Sequence, residues 1–88
     1  MGSPFVLDSM WPRVRELLDG SIVVTLEEVA AAIRLLVERH RVVAEGAGAA
    51  ALAAARSGRA GAGKIACIVS GGNLDSGKLA TLLSGRLP

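Results

Sequence analysis

Two short stretches hold the residue types best suited to chemistry. "EGAGAAA", residues 45–51, sets one carboxylate, Glu45, before glycines at 46 and 48 and an alanine-rich run. "SGGN", residues 70–73, places one hydroxyl, Ser70, beside Gly71 and Gly72 at the end of the apolar run "KIACIV". A turn without Cβ atoms lets a ligand ring come close, and a hydroxyl there can hold a polar ring atom. A lone acid in apolar company is ordinarily paired, protonated or used. For Glu45 two roles stand side by side: facing a pocket, or interacting with the exposed N–H groups of the helix that follows.

Two phosphate-binding patterns are present in outline, and both fail on physical grounds. Gly46, Gly48 and Ala51 match G-x-G-x-x-A, but a dinucleotide site also needs an acid about 20 residues on, for the ribose. The next apolar run ends at Ser70 with no acid, and Glu45 would repel the phosphates. Gly58, Gly63 and Lys64 match G-x-x-x-x-G-K, but Ile65 stands where the magnesium-binding Ser or Thr belongs. That loop also precedes an apolar run, whereas a phosphate loop follows a strand and opens a helix.

The other reactive types read as structural. His40 has no second ligand spaced with it, so no metal site is assigned, and it sits where a cation suits a helix carboxyl end. The one cysteine, Cys67, excludes an internal disulfide and lies inside "KIACIV", as a buried thiol does. The net charge of +2 is small, and the arginines are scattered among acids, which argues against nucleic acid. No apolar run approaches the roughly 18 residues of a membrane span, and no leader peptide is evident, so a cytoplasmic protein is expected.

These residues must be positioned by one small unit. The chain has 88 residues, 51% hydrophobic but only 2% aromatic, so its core is built from Ala, Val, Leu and Ile. Such a chain buries only roughly 60–65% of its unfolded surface, and association with a second copy or another partner is expected. "MGS", residues 1–3, has the look of a tag remnant, and residues 4–88 form a single unit. Ser9 or Asp8 caps a first helix with Pro12 in its first turn, which stops at Gly20 in a left-handed conformation. "SIVV", "RVVAE" and "KIACIV" read as strands, the last as a central parallel one. Thr25 and Glu28 have the capping-box spacing, and the helix they open puts Val29, Ile33, Leu36 or Val37, and His40 on one face. A third helix begins at the 46–48 glycines, "RAGAG" is a loop, and Asp75 caps a last helix. The expected class is α/β, with short parallel-type strands alternating with helices, as a fragment of a larger layered domain.

"VVAEGAGAAALAAA" and "GKIACIVSGGNLD", in that order and at that spacing, resemble the carboxyl-terminal part of the catalytic domain of serine/threonine dehydratases. These are pyridoxal-phosphate lyases of fold type II, the tryptophan-synthase β-subunit fold, with serine racemases among their relatives. The likeness extends more loosely over "WPRVRELLDGSIVVTLEEVAAAIRLLVER". It implies that Ser70 hydrogen-bonds the pyridine nitrogen of the cofactor and that Gly71, Gly72 and Asn73 shape the turn around the ring. It further implies that Glu45 faces the cofactor pocket, with Gly46 and Gly48 allowing close packing.

The chain also departs from that family. The Schiff-base lysine lies in a pattern like S-x-K-x-R-G, whereas the two lysines here, Lys64 and Lys78, lie in "GAGKIA" and "SGKLAT". The glycine-rich loop for the cofactor phosphate is absent too. The resemblance therefore implies pyridoxal phosphate and an amino-acid substrate for the complete enzyme. For these residues alone it implies no catalytic residue and no bound cofactor. The expected partner is a second copy or the remainder of the catalytic domain, with neither nucleic acid nor membrane. The other reading is a small self-associating α/β module without catalytic activity.

Overall fold

A computed structural model describes residues 6–88, and residues 1–3, read above as a tag remnant, lie outside the described part. Four helices follow in order: α1 (Trp11–Leu17), α2 (Leu26–Leu35), α3 (Gly46–Arg56) and α4 (Ser76–Leu83). A wider π-type turn, Leu36–His40, prolongs α2.

The second helix is the hub, and its start is written locally. Glu28 N–H donates to Thr25 Oγ1 at 3.1 Å while Thr25 N–H donates to Glu28 Oε1 at 3.0 Å, so two orphan donors are satisfied. A single nitrogen of Arg59, Nη2, donates to Glu28 Oε1 and Oε2, each at 3.0 Å, and also to Val23 O at 2.9 Å. The Arg59 hydrogen bond, followed by the Thr25 amide, holds the Glu28 carboxyl below its ordinary value. Val29, Ala30, Ala32, Ile33 and Leu36 bury one face against Ala44, Ala49, Ala53 and Leu82. His40, expected on that face, is exposed at the end of the π turn. Arg41 supplies the cationic cap instead: it adopts a left-handed conformation (φ 58°), and its guanidinium donates to the Val37 and Glu38 carbonyls.

The remaining helices lean on this hub. α3 packs along α2, and α4 packs on it as well, Leu82 joining the same buried cluster as Ala49 and Ala53. Asp75 caps α4 by accepting from Lys78 N–H at 3.1 Å. The far end of α4 closes with Gly85 at φ 89°, where Arg86 N–H reaches Thr81 O and Gly85 N–H reaches Leu82 O. This is the paired closure that a left-handed glycine permits. Arg34 Nη1 ties α2 to that same carboxyl end, donating to Leu82 O at 3.2 Å.

Three sequence expectations need correcting. Helix α1 has Met10, not Ser9 or Asp8, at its amino-terminal cap, and it ends in extended backbone at Leu18. Gly20 is not left-handed. Cys67 is only partly buried, its Sγ 3.6 Å from Ala51 O.

The larger correction concerns fold class. The described residues contain helices and no strand, so the α/β architecture expected above is not formed by them. A β-branched run tolerates extended backbone, but a strand exists only through a ladder with a neighbour about 4.8 Å away. Among the described residues no two of the three runs read as strands exchange a backbone hydrogen bond; Glu45 N–H to Gly71 O at 3.0 Å joins the end of the second to the turn after the third. Val42 N–H is spent on Leu36 O, closing the π turn. Apolar side chains of all three runs consequently stay exposed, Val23 and Ile68 at 86% and 80%. The accessible surface is 6583 Å², against roughly 4,900 Å² for a compact chain of this mass.

Candidate functional site

The two stretches singled out from sequence do meet. Glu45 stands immediately before α3, in extended backbone, and its carbonyl accepts from Ala49 N–H at 2.9 Å. Its own amide donates across to Gly71 O, which fastens the start of α3 to the "SGGN" turn. Gly48, one turn into α3 on the same side, lies buried against the Gly71 backbone. A Cβ there would collide with Gly71 O and stand 2.9 Å from Gly71 N. Gly72 is equally pressed: a Cβ on it would lie 2.5 Å from Val43 O. The turn itself is closed by Leu74 N–H to Gly72 O at 2.8 Å, a three-residue turn.

The glycines thus serve packing at the back of the turn, leaving its front free. Ser70, Gly72 and Asn73 are exposed, while Gly71, Glu45 and Gly46 are half-buried. The Glu45 side chain accepts no hydrogen bond from the first turn of α3. It lies over Gly71 instead, where a Cβ would run into Oε1. Its carboxylate is therefore carried by the junction of the two stretches and not by the helix end.

Sequence implies for Gly48 only close packing, whereas the structure makes it the contact that seats α3 on the turn. Its place three residues after Glu45, on the same helical side, was the available clue. Gly46 lines a different feature, an apolar cleft of about 270 Å³ between α2 and α4 that also includes Val29, Ile33, Leu74 and Lys78. Ser70 and Asn73 do not line that cleft. No group of three or more His, Cys, Asp or Glu suited to a metal occurs among the described residues. No described helix is long and apolar enough to cross a membrane.

Residues 1–71 match the family described as pyridoxal-phosphate dependent enzyme. The chain belongs to this family. An L-threonine ammonia-lyase of Geobacter sulfurreducens is 45% identical over 67 residues, covering 74% of this chain and 17% of the relative. The catabolic L-threonine dehydratase TdcB of Escherichia coli K12 is 38% identical over 73 residues, 78% of this chain and 22% of the relative. A serine racemase of Oryza sativa subsp. indica is 40% identical over 82 residues, 85% of this chain and 24% of the relative. The chain therefore spans a quarter or less of the length of these relatives. No solved structure matches it. It resembles part of a pyridoxal-phosphate-dependent threonine or serine dehydratase, as the two motifs implied.

Membership bears on the fold correction. In an open α/β domain each strand finds its ladder in neighbouring segments, and here those neighbours are not part of the described residues.

The arrangement presents one hydroxyl on a turn bare of Cβ atoms, and no more. An exposed hydroxyl at the front of a bare turn, with its back fixed to a helix start, can meet a planar heterocycle. Nothing comparable is present for a phosphate or for an aldehyde, since S-x-K-x-R-G and a phosphate loop are missing from the sequence.

Proposed function

We propose that this chain forms the ring-facing wall of the cofactor site in a pyridoxal-phosphate ammonia-lyase acting on L-threonine or L-serine. The observation that supports this reading is the Glu45 N–H to Gly71 O bond with Gly48 packed beside it, which holds the two family motifs together as one edge. Pyridoxal phosphate, when bound, supplies the electron sink for loss of an α-proton and then of water from the β-position.

The chain's own residues have simpler tasks. Ser70 would hydrogen-bond the pyridine nitrogen as a neutral group, leaving that nitrogen largely unprotonated. Gly71, Gly72 and Asn73 would let the ring approach the turn. Glu45 and Gly46 would form the neighbouring wall, anchored through the Gly71 carbonyl. The lysine and the phosphate loop come from the remainder of a catalytic domain, which is the partner this reading requires. Alone, the chain is catalytically silent and holds no cofactor, and its amino-acid substrate is met only in the complete site. A cytoplasmic setting fits this role.

A chimera tests the reading. Residues 6–88 replace the corresponding segment of the Geobacter sulfurreducens relative, and the product is assayed for the parent's activity and cofactor absorbance. Retained activity is expected, and Ser70→Ala in the chimera should weaken cofactor binding about tenfold, the worth of one hydrogen bond. An active chimera indifferent to Ser70→Ala refutes the assignment of Ser70. For the isolated chain, titration with pyridoxal phosphate followed by borohydride should leave no stoichiometric reduced adduct. One lysine labelled in full would refute the silent state.

A further inference from the structure

We draw no further inference here: the strongest candidate, the apolar cleft of about 270 Å³ between α2 and α4 with Lys78 in its lining, shares Gly46 with the site already described, and nothing in the structure shows what covers it.

Discussion

Replacing Gly48 by alanine sets two effects against each other, and the structure decides the sign. In an isolated helix interior the change stabilises by about 1 kcal/mol, because alanine is the better helix former. At position 48 the added methyl meets Gly71 O, with Gly71 N at 2.9 Å and Gly71 C at 3.1 Å. All three are backbone atoms, so no side chain can swing aside. Forcing a methyl into such a contact costs about 1–3 kcal/mol. Pushing the turn away also strains the Glu45 N–H to Gly71 O bond, worth about 1 kcal/mol. The net expectation is a destabilisation of about 1–3 kcal/mol, measured as a lower urea midpoint by circular dichroism. Exchange of the Glu45 amide should accelerate in the same variant. Gly20→Ala is the control, since nothing lies within 4 Å of its added methyl and its φ is not positive. It should be neutral or stabilise by up to about 1 kcal/mol. If Gly48→Ala stabilises the chain, or leaves the Glu45 amide as protected as before, the close packing of α3 on the turn is wrong.

Three further outcomes follow from the packing around α2. Leu82→Ala removes the one large side chain that α4 buries in the core, and it should cost about 2–3 kcal/mol, the low end for such sites because much of the surrounding core is alanine; urea titration reads this directly. Arg34→Met keeps the aliphatic stem but loses the bond to Leu82 O, so about 1–2 kcal/mol should disappear and the amides of α4 should exchange faster. For Glu28 the folded carboxyl lies below its ordinary value, chiefly through the Arg59 hydrogen bond. Its stabilisation is therefore full above the unfolded value of about 4.3 and is lost as pH falls through the lower folded value. Acid titrations of the parent and of Glu28→Gln should converge at the low end of that window. A constant gap between them would contradict the assignment.

Much of the local structure was legible because each partner lies within a few residues. Thr25 and Glu28 close a capping box three residues apart, and Asp75 reaches Lys78 N–H over the same distance. Pro12 sits in the first turn of α1, where its missing N–H costs nothing. The two family motifs were legible for a different reason: their order, spacing and residue types marked a relative before any coordinate did.

The strands were not legible in this sense. "SIVV", "RVVAE" and "KIACIV" declare a tolerance for extended backbone, but pairing belongs to two segments at once, and among the described residues no backbone bond joins any two of them. The first helix likewise ended at Leu18 and not at Gly20, since a glycine permits a left-handed turn without requiring one. For Glu45, sequence left a pocket-facing role and a helix-capping role equally open. Tertiary structure chose the place of its carboxylate, over Gly71, because the "SGGN" turn packs across the start of α3 and only glycines at 48 and 71 leave room for that crossing.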